Sequence, residues 1–197
     1  MVKSTRFTPS KPLVLVGLMG AGKSAVGRRL AERLGIPFID ADAEIEAAAG
    51  CTVQEFFDRH GEAAFREGER RVIQRLLTEE PPHVLATGGG AFMDPATRAL
   101  VRERGISIWL RAELDVLFRR VSRRGHRPLL KTADPKGTLG KLMEIRYPVY
   151  AEADIVVDSI DGPIAETVDR VVAAVEARIA TGSGTGKTGE PDTGGLS

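Results

Sequence analysis

The sequence is short of several things, and each shortage excludes something. One cysteine, Cys51, stands alone in 197 residues. It cannot form an internal disulfide and suits a reducing compartment. No apolar run approaches the ~18 residues of a membrane-spanning helix. The first residues lack the apolar centre of a secretory signal, so the expectation is a cytoplasmic protein. Charge of one sign is also missing. The net charge is +1, which argues against a nucleic-acid or membrane surface as the main partner. His60, His83 and His126 have no metal-ligand spacing, and Cys51 has no partner at such spacing. No internal repeat is visible.

What is present begins with Gly17-Leu18-Met19-Gly20-Ala21-Gly22-Lys23-Ser24. The apolar run Leu13-Val14-Leu15-Val16 precedes it and a helical pattern follows. A strand, a glycine loop and a helix in that order make a phosphate cradle. Glycines let backbone N–H groups turn inward, and the helix adds the positive end of its dipole. Gly20, Ala21, Gly22, Lys23, Ser24 and Ala25 are the expected nucleotide-binding residues. Lys23 reaches the β- and γ-phosphates, and the Ser24 hydroxyl is a ligand for Mg²⁺. Arginine outnumbers lysine by about three to one, and arginine is the residue for bidentate anion contacts.

The rest of the chain alternates short apolar strands with helices. Strands are predicted at 13–16, 38–40, 83–86, 106–110 and 155–157. Helices are predicted at 24–34, 41–49, 52–61, 62–78, from Asp94, at 113–122, 142–150 and 163–179. Thr52-Val53-Gln54-Glu55 reads as a capping box. Gly61 is expected to close one helix before the next, and Pro148 to interrupt the 142–150 helix. Such alternation implies an α/β fold: a central parallel sheet of about five strands between two helical layers. Ligands then bind beyond the carboxyl ends of the strands. That rim would carry the Gly17 loop, Asp40 and Asp42, and the run Gly88-Gly89-Gly90. The expected organisation is a flexible tail at 1–10, one phosphate-loop domain at 11–180 with a mobile lid at about 123–140, and a disordered tail at 181–197.

Asp40 and Asp42 end a predicted strand, spaced so that both can face one cleft. A metal-bound triphosphate needs one carboxylate, and a hydroxyl nucleophile needs another to accept its proton. The alternative is that one of them only caps the helix that follows.

At this point the chain resembles the shikimate kinases. The resemblance is carried by Arg66-Glu67-Gly68-Glu69 with Val84-Leu85-Ala86-Thr87-Gly88-Gly89-Gly90-Ala91-Phe92. To these are joined the loop ending in Ser24, the Asp40/Asp42 pair, Arg127-Pro128-Leu129-Leu130, and Arg146-Tyr147-Pro148-Val149-Tyr150. It runs from about Leu13 to Val175. It implies a P-loop fold of the nucleoside-monophosphate-kinase kind that transfers the γ-phosphate of ATP to the 3-hydroxyl of shikimate. The residues it implies for catalysis are Asp42 as base, Lys23, and Arg127 over the phosphates. Arg120 would stack on adenine, and Ser24 and Asp40 would hold Mg²⁺. Arg66 and Arg146 would clamp the shikimate carboxylate, with Glu69 orienting Arg66. Gly88, Gly89 and Gly90 would admit the ring to the backbone. The expected partners are ATP and shikimate alone, acting on a monomer. A small-polyol kinase such as a gluconate kinase would keep the phosphate loop but has no evident need for both arginines. A nucleotide-gated binding module would be expected to lose Lys23, Asp42 or Arg127.

Overall fold

Leu13, Val14, Leu15 and Val16 are apolar at every position, so they suit a strand covered on both faces. In the computed structural model, which describes residues 7–123 and 132–182, they form the central strand β1 (Leu13–Val16), buried throughout. The chain continues through α1 (Lys23–Leu34), β2 (Phe38–Asp40), α2 (Ala41–Ala49), α3 (Val53–Glu79) and β3 (Val84–Ala86). A 3₁₀ turn at Ala91–Met93 leads to α4 (Pro95–Arg104), β4 (Ile106–Arg111), α5 (Leu114–Ser122), α6 (Pro135–Tyr150), β5 (Ile155–Asp158) and α7 (Ile164–Gly182). The five strands are parallel and ordered β2-β3-β1-β4-β5.

The crossover from β1 to β2 and the return from β2 to β3 run in opposite directions along this sheet. Right-handed connections therefore place α1 and α3 on opposite faces. Helix α1 packs against α7, and α3 against α4. The α/β architecture with five parallel strands agrees with the sequence expectation.

Local chemistry explains the boundaries. Thr52 and Glu55 form the expected capping box, with the Thr52 N–H donating to Glu55 Oε2 at 2.9 Å and the Glu55 N–H to Thr52 Oγ1 at 3.2 Å. Gly61 breaks α3 as expected, because its φ of 78° and ψ of 173° leave the helical region. Gly27 lets α1 lie on the sheet: a Cβ there would fall 2.5 Å from the Phe38 ring. Among the described residues, no helix is long and apolar enough to cross a membrane.

Three expectations need correction. The stretch 123–140 was expected to be a loop throughout, yet α6 begins at Pro135. Asp134 caps it by accepting from the Gly137 N–H at 2.9 Å, and Pro135 occupies its first position, where a missing N–H costs nothing. Pro148 does not interrupt this helix. It lies in the last turn, where it removes only the bond to the Glu144 carbonyl, and buried Tyr150 anchors the end. Helix α7 also continues to Gly182, slightly past the start expected for the tail.

Candidate functional site

The carboxyl ends of β1, β2 and β3 open into a cleft of about 870 Å³. Residues 17–22 form its floor. Gly17, Gly20 and Gly22 have φ of 144°, 82° and 94°, a region that side-chain-bearing residues rarely enter. Gly20 also has no room for a side chain, since a Cβ would meet Val121 Cγ2 at 2.9 Å and the Leu117 carbonyl at 3.0 Å. Gly22 caps α1 without any side chain bonding the first-turn amides, so those donors face the cleft with the positive helix end.

Lys23 Nζ donates to the Gly17 and Leu18 carbonyls at 2.7 and 3.1 Å. Ser24 Oγ donates to Asp40 Oδ2 at 2.9 Å. The other Asp40 oxygen accepts from the Asp42 N–H at 3.1 Å and caps α2. Asp40 is therefore a helix cap, the alternative weighed for the pair, and is also the hydrogen-bond partner of Ser24. Asp42, in the first turn of α2, lines the cleft.

A second recess of about 310 Å³ adjoins the loop and is lined by Gly20, Gly22, Ala25, Arg120 and Ser159, among others. Arg120 Nη1 donates to the Gly20 carbonyl at 3.3 Å and to Ser159 Oγ at 2.9 Å, and Nη2 reaches the Ile160 carbonyl. Ser159 Oγ in turn donates to the Ala21 carbonyl at 2.9 Å. Arg120 thus lies with its guanidinium bonded to the loop and to the segment after β5.

The far wall of the main cleft carries the charges. Arg66 Nη1 donates to Glu69 Oε2 at 2.6 Å, and Nη2 to Glu62 at 3.4 Å. The guanidinium lies over the rings of Phe65 and Phe57, 5.3 and 6.0 Å from their centroids. Burial works against its charge, but Glu69 and Glu62 hold its pKa above the ordinary value. Glu69 is 3% exposed. Burial pushes its carboxyl upward, Arg66 opposes that, and the charges of Asp42 and Asp94 add to the rise. Its second oxygen, Oε1, is buried without a hydrogen-bond partner among the described residues.

The three glycines after β3 are distributed among these charges. A Cβ on Gly88 would lie 3.0 Å from both Asp42 Oδ1 and Glu69 Oε1. On Gly89 it would lie 3.1 Å from Arg146 Nη1, and on Gly90 2.4 Å from Arg66 Nη2. None of the three has a positive φ. They are needed for space, and the space beside them is taken by the protein's own carboxylates and guanidinium groups. From α6, Tyr150 donates its hydroxyl proton to the Gly89 carbonyl. Beneath the site, Trp109 packs edge-on to Tyr147 at 4.8 Å, with its Cδ1 3.6 Å from where a Gly17 Cβ would be.

The model of the family described as "Shikimate kinase" matches residues 19–176. A curated shikimate kinase from Paramagnetospirillum magneticum is 61% identical over 162 residues, 82% of this chain and 83% of that protein. The chain belongs to the shikimate kinase family. Another member, from Rhodopseudomonas palustris, is 60% identical over 165 residues, covering 84% of this chain and 81% of the relative. Among solved structures, the shikimate kinase from Acinetobacter baumannii in complex with shikimate superposes with a TM-score of 0.82 at 36% identity. That likeness covers 88% of this chain and 97% of the other.

Within this member of the family, the cleft brings together Gly20, Gly22, Lys23, Ser24, Ala25, Asp40, Asp42, Arg66, Gly88, Gly89, Gly90 and Arg146. Ala21 lies in the loop backbone, and Arg120 beside the smaller recess. Arg127 lies outside the described residues. Three contributors escaped the sequence reading as individuals. Ser159 follows the last strand with no motif around it. Phe57 sits at a helical spacing that a core residue would share. Tyr150 was visible only as the end of a motif, with no sign of which atom it would hold.

Proposed function

We infer that this chain is an ATP-dependent kinase that transfers the γ-phosphate of ATP to the 3-hydroxyl of shikimate, yielding shikimate 3-phosphate and ADP. One observation supports this reading most: a single cleft holds a phosphate loop and, across from it, two guanidinium groups on separate elements. Arg146 stands against Gly89 and Arg66 against Gly90. A kinase for neutral polyols needs the loop but not the pair. A ring bearing a carboxylate and several hydroxyls needs both.

In this reading the loop amides and Lys23 bind the triphosphate, and Arg120 packs against the base. Ser24 Oγ and Asp40 Oδ2, 2.9 Å apart, are hard oxygen donors of the kind Mg²⁺ takes. These two residues would hold Mg²⁺, which would supply positive charge beside the triphosphate. Arg66 and Arg146 hold the acceptor by its carboxylate, and Glu69 holds Arg66. Asp42 orients the 3-hydroxyl and accepts its proton as that oxygen bonds to the γ-phosphorus and ADP departs in line. The protein forms no covalent bond, and catalysis is positioning and charge stabilisation. We infer a monomeric cytoplasmic enzyme, its kinase domain at 11–180 between two tails.

Coupled ADP release tests the reading. Shikimate should drive turnover, and its carboxamide analogue and gluconate should not. Arg146→Ala should cost ~2–5 kcal/mol, felt in KM for shikimate and not for ATP. It should also discriminate far less between acid and amide. Shikimate binding without ADP, or equal discrimination by both proteins, overturns the assignment.

A further inference from the structure

Helix α6 presents two tyrosines on either side of Pro148, and both hydroxyls reach backbone carbonyls. Tyr147 donates to Ala112, at the end of β4, and Tyr150 to Gly89, in the glycine run after β3. The two bonds look alike but have different neighbours. Tyr147 is half-buried, and its hydroxyl oxygen also accepts the Ala112 N–H at 3.4 Å. Tyr150 is 0% exposed. Its hydroxyl lies beside the Arg146 guanidinium, one helical turn earlier, whose charge opposes the effect of burial on the phenol. Burial pushes the phenol up to about 12, so it remains a donor across the working range of pH.

Tyr150 thus holds the Gly89 carbonyl while the Arg146 guanidinium lies beside both residues, its Nη1 3.1 Å from the position a Gly89 Cβ would take. An arginine side chain has four rotatable bonds and loses them at a cost when it binds. A partner that fixes the head group in advance reduces that cost at the moment of binding. The hydroxyl also stops the glycine backbone drifting relative to α6.

We propose that Tyr150 is a positioning residue for the acceptor: its single hydroxyl holds the Gly89 backbone beside Arg146 and sets the two at the spacing that receives a carboxylate. This rests on the reading of Arg146 given under the proposed function. Tyr150 touches no reacting atom. Its effect is on acceptor binding.

The test is Tyr150→Phe, which removes one oxygen and keeps the ring against Trp109. KM for shikimate should rise about tenfold, the scale of a hydrogen bond whose partner is left unpaired. KM for ATP and kcat should stay close to wild type. Tyr147→Phe is the matched control, since it deletes a bond of the same kind that does not hold Gly89. It should leave KM for shikimate unchanged. In an Arg146→Ala background, Tyr150→Phe should add nothing further.

The chain has two tyrosines, so full replacement by 3-fluorotyrosine gives two ¹⁹F resonances without altering the fold. Shikimate should move the Tyr150 signal, and its carboxamide much less. These readouts keep the proposal open to refutation should Tyr150→Phe fail to fold. An unchanged KM for shikimate in Tyr150→Phe overturns it. So does an equal rise in Tyr147→Phe, full additivity with Arg146→Ala, or a fluorine signal indifferent to the carboxylate. Failure of wild type to turn over shikimate is a separate result, and sinks the functional reading instead.

Discussion

In the proposed assignment, the phosphate side of the cleft is made of contiguous backbone, and the acceptor side of charged side chains from three separate helices around a glycine run. Residues 17–24 supply amides, a lysine and a hydroxyl within one turn of chain. The acceptor wall takes Asp42 from α2, Arg66 and Glu69 from α3, the glycine run after β3, and Arg146 from α6. A cradle of backbone suits any triphosphate and depends on local conformation. A wall of paired charges suits one acceptor and depends on the whole fold being in register. Damage to the first should therefore appear in rate with acceptor binding intact, and damage to the second in acceptor binding with ATP binding intact.

The largest effect expected sits where the halves meet. Asp42→Asn keeps the shape of the side chain and loses the charge that accepts a proton. It should lower kcat by about 10²–10⁴, with ATP affinity by calorimetry unchanged. Turnover near wild type would remove Asp42 from the base role. Lys23→Ala comes next, at about 10²–10³ in kcat, the scale of losing one preorganised donor to developing charge. Shikimate affinity should survive it. If affinity falls as steeply as rate, the halves are not separable.

Gly90→Ala sharpens the comparison from the acceptor side. Its methyl group would stand 2.4 Å from the end of Arg66. A long side chain can swing away, so the fold and its melting temperature should hold. Arg66 then no longer points at the acceptor, and KM for shikimate should rise about 10- to 100-fold, the scale of one charge-assisted bond. Unchanged KM would mean that Arg66 binds from another position.

Glu69→Gln is the mildest. It loosens Arg66 and should raise KM for shikimate by less than Gly90→Ala. It also carries a signature in pH. Burial raises the Glu69 carboxyl above its ordinary 4.5, so the native state binds that proton more tightly than the unfolded chain does. Native stability from this group is then greatest at low pH and falls as pH rises through the window above 4.5. In urea titrations, the advantage of wild type over Glu69→Gln should shrink as pH rises across that window. An advantage that grows instead would mean that the Arg66 pair outweighs burial.

The same contrast explains what could be read from the sequence. The loop, the five strands and the capping box are local, and residue type with spacing was enough for them. Asp40 and Asp42 were legible as a pair and the resemblance divides their roles, but the cap on α2 and the bond to Ser24, which meet in Asp40, come from different directions and were not legible. Arg66 and Arg146 became visible through family resemblance; no spacing rule links positions 80 residues apart. The start of α6 at Pro135 was missed because a polar, glycine-bearing stretch looks like a loop until Asp134 closes its first turn. The glycine run, expected to give a ligand room, also gives room to Arg66, Arg146, Asp42 and Glu69. Occupants of that kind come from tertiary packing, which a pattern along the chain does not encode.

The two halves share one contact that can be used optically. The chain has a single tryptophan. Trp109 is 4% exposed, and its indole N–H has no hydrogen-bond partner among the described residues. One side of its ring lies by Gly17 of the phosphate loop. The other lies edge-on to Tyr147, with Tyr150 at 6.0 Å. All indole emission from this protein therefore originates from one buried ring between the 17–22 loop and helix α6. A shift of the loop on one side or of the tyrosine helix on the other changes the same fluorophore. The enzyme is its own unlabelled sensor, and the order in which its two substrates arrive can be followed in a stopped-flow cuvette from tryptophan emission alone.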